Sequence, residues 1–271
     1  MQPIITHRDA KKILQKKTPI SLDLGKSSTQ VQYDEHSIII GEQKIPLTEF
    51  EDCKEDWCYI LKNNTVEKVQ FYSADNGYYY KLLPTADWPT FTISSARMHR
   101  STNITPRESA KIMVDSIAPI KGRVLDTCCG LGYTATFASK NATEVHTFEK
   151  YPESIELCKI NPYSQELFTN KKIQLHNQEI EIAITTFHNQ YFDRIIHDPP
   201  TPTLAPALYG LEFYTQLYQK LKQNGKLYHY TPNPGKMTGG EIYTQIMKLL
   251  EKAGFKNIKY DEKASGIIAD K

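Results

Sequence analysis

From about Thr105 onward, segments with strand character alternate with segments with helix character. The strand-like segments are RVLDTC, EVHTFEK, KIQLH, DRIIHD and KLYHY, and a helix-like segment follows each of them. Repeated strand–helix units imply a parallel sheet with helices on both faces. NIKYDEK and GIIADK have no helix between them, which favours an antiparallel hairpin. We therefore predict an α/β fold with a seven-stranded sheet, mostly parallel and with the last strand antiparallel.

The N-terminal third of the sequence has a different pattern. Residues 18–95 consist of short alternating and β-branched runs that are separated by turn signals. Asn76-Gly77, flanked by aromatic residues, is a strong hairpin signal. We predict two domains, a β-rich N-terminal extension over residues 1–100 and an α/β domain over residues 101–271.

The composition excludes several classes of protein. Hydrophobic residues make up 39% and charged residues 24%, as in globular proteins and unlike disordered chains. The formal net charge is only +2, so a nucleic-acid partner must be argued from local patches. The five cysteines form no C-x-x-C pair, which predicts a reducing cytoplasm and neither a metal site nor a disulfide framework. No signal peptide or membrane-spanning segment is predicted.

The sharpest local signal is VLDTCCGLGY, in which an apolar strand ends in Asp126 and a turn of small residues follows. Gly130 and Gly132 let the backbone approach a ligand closely, and the start of the next helix can receive polar groups of that ligand. The next strand ends in Glu149, where a carboxylate can accept hydrogen bonds from ribose hydroxyls. Together the two signals favour a nucleotide-like cofactor.

DTCCGLG resembles the D-x-x-x-G-x-G pattern of class I S-adenosyl-L-methionine (SAM)-dependent methyltransferases, and FEK resembles their acidic second-strand end. The resemblance implies a Rossmann-like methyltransferase domain with SAM as its cofactor. The implied cofactor contacts are Asp126, Cys128, Gly130, Gly132, Tyr133, Glu149, Lys150, Gln178, Glu179 and Asp198. Either Gln178 or Glu179 is expected to hold the adenine amino group. A dehydrogenase would have G-x-G-x-x-G, which this sequence meets only loosely with Ala135 in the third position.

Another strand of this region ends in Asp198-Pro199-Pro200. Ligands of open α/β sheets bind at this edge, and two prolines make the turn rigid and remove two backbone donors. The remaining carbonyl groups and the carboxylate can accept hydrogen bonds from an NH₂ group, which aligns its nitrogen for methyl transfer. The turn resembles the motif of amino-directed methyltransferases, so Asp198, Pro199 and Pro200 are predicted to be catalytic.

Amino-directed enzymes usually carry an aromatic residue where this sequence has Thr201, so a stacking side chain must come from elsewhere. The candidates are Tyr209, Phe213, Tyr230 and Tyr133. His197 is predicted to pack, with a role as a base left open, and His229 lies near the end of the next strand. Asn233 is predicted to lie in a rigid loop at the same edge, where it is a candidate for substrate contact.

Three further stretches share one resemblance: ISSARMHR, HDPPT and LYGLEFYTQLYQKLKQNGKLYHYTPNPG, within roughly residues 90–271. They resemble the predicted archaeal-type SAM-dependent methyltransferases. This resemblance implies an RNA partner and methylation of a cytidine amino group in ribosomal RNA. The predicted substrate contacts are Arg97, His99, Arg100, Thr201, Tyr209, Tyr230 and Asn233. Arginines neutralise phosphates and tyrosines stack on unpaired bases, although a solvated charged face would also explain the basic residues.

Other functions remain open at this point. Aminopropyl transfer to a polyamine uses a related fold, but such enzymes typically have a G-G-G-x-G loop, whereas this sequence has Cys128-Cys129-Gly130. Methylation of a small molecule or a protein side chain also fits the turn. A SAM-fold module without catalytic activity is disfavoured, because the acidic residues of the loop and the turn are intact.

Overall fold

The computed structural model describes residues 2–231 and 239–271, and the chain forms two compact units. The first unit contains the residues up to Arg107 and the segment Glu156–Gln165; the second contains Glu108–Ile155 and the described residues from Glu166 to Lys271. The sequence predicts a single boundary between residues 100 and 101. It does not predict that Glu156–Gln165 belongs with the N-terminal residues.

The first unit is β-rich, as the sequence predicts. Its elements are β1 (Ile4–Thr6), α1 (His7–Leu14), β2 (Gln32–Tyr33), β3 (Ser37–Ile40), β4 (Gln43–Pro46), a 3₁₀ helix (Leu47–Phe50), β5 (Cys58–Lys62), β6 (Thr65–Lys68), β7 (Gln70–Tyr72), β8 (Tyr79–Leu83), β9 (Thr90–Ile93) and β10 (Ala96–Arg97). They form three sheets in the orders β1-β5-β6, β2-β3-β4 and β7-β8-β9-β10. Ile5, Ile13 and Phe50 lie in a shared apolar core, so burial of one face of each short element stabilises the unit.

The second unit alternates strands and helices. Its elements are α2 (Pro106–Ser116), β11 (Arg123–Asp126), α3 (Tyr133–Ser139), β12 (Glu144–Phe148), α4 (Pro152–Ile160), α5 (Glu166–Thr169), β13 (Ile173–His176), α6 (Ile180–Ala183), β14 (Phe192–His197), α7 (Leu211–Lys220), β15 (Leu221–Tyr230), α8 (Gly239–Ala253), β16 (Lys256–Asp261) and β17 (Gly266–Asp270). Short 3₁₀ helices lie at Pro162–Ser164, Ile184–Thr186 and Pro206–Tyr209. Parts of α2 and α4 extend into the first unit.

One seven-stranded sheet, in the order β13-β12-β11-β14-β15-β17-β16, organises the second unit. The first five strands are parallel, and β17 runs antiparallel to both of its neighbours. Leu125, Ile195 and Leu227 on the central strands are fully buried, which is typical of strands covered on both faces. The predicted mixed sheet with a terminal hairpin is confirmed.

The strand order places a switch point at the centre of this sheet. From β11 the chain first builds outward through β12 and β13, and then returns to the other side of β11 with β14. The connections on the two sides of β11 therefore diverge and leave a crevice beyond the carboxyl ends of β11 and β14. Ligands of open α/β sheets bind in such a crevice.

Candidate active site

Two segments meet at the carboxyl ends of β11 and β14. We call Thr127–Gly132 the cofactor loop and Asp198–Pro200 the Asp-Pro-Pro turn. Asp126 is in register with Ile196, and the Thr127 N–H donates to the Ile196 carbonyl at 3.0 Å. Because β11 and β14 are parallel neighbours, the loop and the turn begin on the same edge of the sheet.

The Cys128 thiol in the cofactor loop shows how close the acidic groups of this edge are to one another. Burial raises its pKa, and the carboxylates of Glu149, Asp126 and Asp198 raise that pKa further. A cysteine with a raised pKa stays a neutral thiol and is a poor nucleophile. Cys128 therefore supports packing of the loop, and three carboxylates act electrostatically on one side chain.

Asp126 is fully buried at the end of β11, under the cofactor loop. The Thr134 hydroxyl donates to its two carboxylate oxygens at 3.1 Å each, and the Thr147 hydroxyl donates at 2.7 Å. Burial raises the Asp126 pKa to about 7, although both threonine bonds act to lower it. These contacts fix the Asp126 carboxylate beneath the loop, and its predicted contact with the cofactor stays a prediction.

Gly132 adopts a left-handed backbone conformation with φ of 75° immediately before α3. A Cβ atom at this position would lie 2.4 to 2.5 Å from the Leu167 side chain, well inside van der Waals contact. Gly130 is also left-handed, with φ of 54°. Glycine is therefore required at Gly132 by the dihedral angle and by the space available.

Glu149 follows β12 and is largely buried beside the cofactor loop. Its carboxylate accepts the Gly130 N–H at 3.1 Å and the Tyr151 N–H at 3.0 Å. Burial raises its pKa to about 7, against the lowering effect of these backbone donors. A carboxylate offers about four acceptor positions, so it can bind backbone groups and a ligand hydroxyl together.

Beyond Glu149, the ends of β12 and β13 are joined by side chains. The Asn177 amide donates to the carbonyl of Glu149 at 2.8 Å, and the Lys150 ammonium lies 3.2 Å from a Glu179 carboxylate oxygen. Burial lowers the Lys150 pKa, but its hydrogen bond to Glu179 outweighs this and raises it. Gln178 is exposed and Glu179 half-buried, so both predicted adenine ligands lie at this edge.

In the Asp-Pro-Pro turn, Asp198 and Pro200 are partly exposed and Pro199 is buried. The Tyr209 hydroxyl donates to the Pro200 carbonyl at 2.7 Å and lies 3.5 Å from the Pro199 carbonyl. Thr201 is exposed, and its carbonyl accepts the N–H groups of the residues that follow the turn. The Tyr209 hydroxyl therefore acts as a clamp on the turn, and the stacking role of its ring stays a prediction.

Both histidines near the turn are buried and neutral. His197 Nε2 lies 3.0 Å from the Leu208 carbonyl and must donate to it, so Nδ1 accepts the Thr127 hydroxyl at 2.7 Å. His229 Nδ1 donates to the Tyr230 carbonyl at 2.6 Å, so Nε2 accepts the Tyr214 hydroxyl at 2.8 Å. Burial lowers the pKa of His229 to about 4 and that of His197 well below its usual value.

Both ring nitrogens of each histidine are therefore used within the protein. The rings of His197 and His229 pack edge to face with centroids 4.5 Å apart. Neither residue can take a proton from a substrate without breaking a buried hydrogen bond. His197 packs in the interior, as the sequence predicts, and these hydrogen bonds disfavour a base role for either histidine.

The remaining predicted substrate residues fall into separate groups. Phe213 and Tyr133 are buried, which disfavours stacking of either ring on an incoming base, and the cofactor contact of Tyr133 stays a prediction. Tyr209 and Tyr230 are partly exposed. Asn233 lies outside the described residues.

Three predicted contacts, Arg97, His99 and Arg100, belong to the first unit. Arg97 is exposed and donates to the Ser101 hydroxyl at 2.8 Å. His99 packs edge to face on Phe91, and burial lowers its pKa to about 4, so it carries no charge at neutral pH. Of this group, only the arginines can supply positive charge to a phosphate.

The described residues contain neither a metal-binding cluster nor a membrane-spanning helix. Within residues 2–231 and 239–271, no group of three or more His, Cys, Asp or Glu side chains is arranged to hold a metal ion. The helices of the same ranges include none with the length and apolar character needed to cross a bilayer. All five cysteines are free thiols, of which only Cys128 is partly exposed.

Comparison with known proteins identifies the family. Residues 138–235 match the family model described as S-adenosyl-L-methionine-dependent methyltransferase. The chain is 39% identical over 282 residues to protein MJ1233 of Methanocaldococcus jannaschii, and the match covers 98% of this chain and 95% of that protein. This chain belongs to the same family. It is a SAM-dependent methyltransferase, and SAM is its cofactor.

Weaker similarities extend to a second class of enzyme. Polyamine aminopropyltransferase 2 of Aquifex aeolicus is 28% identical over 118 residues, which cover 41% of the methyltransferase and 23% of that enzyme. A spermidine synthase structure from Thermotoga maritima has a TM-score of 0.57 at 16% identity and covers 74% of this chain and 70% of its own. The MNMC2 structure from Aquifex aeolicus has a TM-score of 0.51 at 19% identity over 70% of each chain. These structures show a shared fold.

The residues of the methyltransferase fit SAM. The left-handed glycines keep side chains out of the path to the loop, and Glu149 keeps a carboxylate at the loop for ribose hydroxyls. The sequence analysis missed the threonines that bind Asp126. Thr147 could have been found, because pairing β11 with β12 in register places it opposite Asp126.

Proposed function

We propose that the methyltransferase transfers the methyl group of SAM to the exocyclic amino group of a cytidine in RNA, with ribosomal RNA as the substrate that the family resemblance implies. The observation that carries the proposal is the position of the Asp-Pro-Pro turn. It directly follows β14, next to the cofactor loop and at the switch point of the sheet. On this proposal the acceptor groups of the turn and the cofactor loop therefore border the same crevice.

On this proposal different residues at the carboxyl edge of the sheet bind different parts of SAM. The glycines of the cofactor loop allow close backbone approach, and Glu149 accepts the ribose hydroxyls. Glu179, steadied by its ion pair with Lys150, or the exposed Gln178 accepts the adenine amino group. When bound, SAM supplies an electrophilic methyl group on a sulfonium sulfur.

The turn acts on the acceptor nitrogen. The Asp198 carboxylate and the Pro199 carbonyl accept the two N–H bonds of the amino group, which directs the nitrogen lone pair towards the methyl carbon. A nitrogen–carbon bond forms, a sulfur–carbon bond breaks, and the nitrogen gains positive charge that the same oxygens stabilise. Because both nearby histidines are saturated, the proton leaves through Asp198 to solvent.

The surroundings of the turn suit an amino group carried by a planar base. Tyr209 is partly exposed, and its hydroxyl bond to the Pro200 carbonyl fixes the ring close to the turn. Tyr230 is also partly exposed and lies at the end of β15, the next strand of the sheet. On this proposal their rings bound the space into which an unpaired cytidine is inserted.

The acceptor can be identified directly. Purified protein is incubated with methyl-labelled SAM and ribosomal RNA from cells that lack the protein, and the RNA is digested to nucleosides. We expect label in cytidine methylated on its amino nitrogen, and no label with Asp198→Ala. Asp115→Ala is a matched control, because Asp115 is an exposed acid on α2 that pairs with its helix neighbour Lys111.

Label on another nucleoside, or on no RNA at all while a small molecule is methylated, would overturn the proposal. Loss of labelling in Asp115→Ala as well would attribute the effect of Asp198→Ala to general damage to the protein. SAM binding by calorimetry is measured for all variants in parallel.

Aminopropyl transfer is the second candidate, and the partial similarity to polyamine aminopropyltransferase 2 favours it. A polyamine is a multiple cation and needs several acids around it. Between residues 198 and 211, Asp198 is the only acidic residue. The same assay with decarboxylated SAM and a diamine decides: turnover with this pair, and none with SAM and RNA, would establish the second candidate.

A further inference from the structure

The sheet β7-β8-β9-β10 in the first unit has two very different faces. Residues that point to one face are buried: Tyr80, Leu82, Phe91 and Ile93 are each at most 5% exposed. Because antiparallel partners share a face, the register of the four strands defines which residues point the other way. The Leu83–Thr90 end of that opposite face is also buried, and the rest of it is called the outer face below.

On the outer face, side chains from four strands form a polar row. Register places Gln70 opposite Lys81, Lys81 opposite Thr92, and Thr92 opposite Arg97. Gln70 and Arg97 are exposed, and the other two are partly exposed. The row therefore offers two cations and two neutral hydrogen-bonding groups to anything that lies across the sheet.

Beside this row lies a pair of tyrosines. Tyr72 and Tyr79 face each other across β7 and β8, with ring centroids 4.9 Å apart and ring planes at 46°. They are 55% and 58% exposed, unusually high for large aromatic side chains. Their ring surfaces thus border the polar row and are open to solvent.

The charged residues that register places on the outer face, Lys81 and Arg97, are both positive. None of the register-defined residues of this face is acidic, although the Lys81 ammonium pairs with the Asp56 carboxylate at 3.1 Å. The same ammonium lies 3.4 Å from the centre of the Trp57 ring, and the Lys68 ammonium lies 4.7 Å from it. Two lysine ammonium groups therefore lie near one aromatic ring in this unit.

We infer that the outer face of the β7–β10 sheet is a binding platform for single-stranded RNA, with Tyr72 and Tyr79 stacking on bases and Lys81 and Arg97 contacting phosphates. Exposed aromatic rings stack on any unpaired base, and neighbouring cations follow the backbone. The inference rests on the proposed RNA substrate and extends it to a second RNA-binding surface, which belongs to the first unit.

Cross-strand tyrosine pairs also stabilise hairpins, so the test must separate binding from folding. The probe is a fluorescently labelled single-stranded RNA of about 12 nucleotides and mixed sequence. We expect Tyr72→Ala/Tyr79→Ala to raise its dissociation constant at least about fivefold, as the loss of base stacking predicts. Tyr72→Phe/Tyr79→Phe keeps both rings and is expected to bind within about twofold of the wild type.

Phe168→Ala is the matched control, because Phe168 is an exposed aromatic side chain (42%) in the second unit. It is expected to leave RNA affinity unchanged. Arg97→Gln should weaken binding and flatten its salt dependence, since one phosphate contact is lost. Circular dichroism and SAM affinity confirm that each variant is folded.

Unchanged RNA affinity in the double alanine variant would overturn the platform. Equal affinity of the wild type for a duplex of the same length would also do so, because paired bases cannot stack on tyrosines. A different result would overturn only the proposed function: RNA binds through the tyrosines, but no cytidine is methylated. A pull-down in which the alanine variants lose a protein partner and keep RNA affinity would assign the face to that partner instead.

Discussion

The cofactor loop and the Asp-Pro-Pro turn are adjacent strand ends of one sheet, but their acidic groups have opposite surroundings. Asp126 is fully buried with two threonine hydroxyls, and Glu149 is 9% exposed with backbone N–H donors. Asp198 is partly exposed, and the clamp from Tyr209 acts on a carbonyl of the turn. The acids of the loop are thus enclosed and held by internal hydrogen bonds, whereas the acid of the turn keeps part of its surface exposed.

This difference has a cost in stability. Burial raises the pKa of Asp126 from 3.8 and that of Glu149 from 4.5, in both cases to about 7. An acid whose pKa is raised by folding binds its proton more tightly in the folded state. Its contribution to stability therefore falls as the pH rises from about 4 to about 7 and is constant above that. Other interactions of the loop must therefore offset this loss of stability at neutral pH.

The largest expected effect comes from filling the space beside Gly132. Gly132→Ala would place a Cβ atom against Leu167 at a left-handed φ, and we expect at least about 2 kcal/mol of destabilisation and SAM binding weakened at least about 100-fold. Gly77→Ala is the control, because Gly77 has φ of 74° and no atom within 4 Å of the added Cβ. Calorimetry should show much weaker SAM binding for Gly132→Ala than for Gly77→Ala. Equal SAM affinities of the two variants would show that the close packing of the loop is unimportant.

The next effect is a pH dependence of cofactor binding. As the pH falls below 7, Glu149 becomes protonated and loses a charged acceptor for the ribose hydroxyls. SAM affinity should fall by up to about tenfold per pH unit, the limit for one linked proton. Glu149→Gln should bind SAM weakly and with little pH dependence between pH 6 and 8. A wild-type affinity that stays constant over that range would exclude Glu149 as a ligand.

A smaller effect is expected at the clamp on the turn. Tyr209→Phe removes the hydroxyl bond to the Pro200 carbonyl, worth about 1 kcal/mol, so the methyl-transfer rate should fall about fivefold. SAM affinity should not change, since the cofactor loop is untouched. Tyr218→Phe, on the neighbouring helix α7, is the matched control in single-turnover kinetics. If Tyr209→Phe changed SAM affinity but not the methyl-transfer rate, the hydroxyl bond would stabilise the cofactor loop and not the turn.

The smallest effect concerns stability. Asp126→Asn removes the buried charge and keeps the shape, so at pH 8 it should be as stable as the wild type or more stable by about 1 kcal/mol. At pH 5, where Asp126 is protonated, the two proteins should differ less. Thermal unfolding at the two pH values gives the comparison, and a variant that is destabilised only at pH 8 would contradict the assigned burial effect.

The sequence predicts the second unit well, because its strands are short apolar runs between helices with clear turn signals. The glycine pattern and the two prolines also locate the cofactor loop and the turn, since each has a local backbone requirement. The cofactor loop and the turn are adjacent in the structure because β11 and β14 pair. The expected strand order follows from the α/β pattern.

Features that depend on distant partners could not be predicted from the sequence. The tautomer of His197, for example, follows from the Leu208 carbonyl and the Thr127 hydroxyl, which lie 11 and 70 residues away along the chain. The strand β15 begins at Leu221, directly after α7, because Leu221 pairs with Phe192 across an irregular register. Helical periodicity alone extends that helix to about Lys222.

The central claim is that two neighbouring strand ends divide cofactor binding and acceptor positioning between them. Its most direct test is Asp198→Ala, with SAM affinity from calorimetry and methyl transfer to RNA from a single turnover on the same protein. We predict SAM affinity within about twofold of the wild type and a transfer rate lower by about 100- to 1,000-fold, as for the loss of one preorganised electrostatic contact. An unchanged rate, or a loss of SAM binding that accounts for the whole effect, would contradict the account.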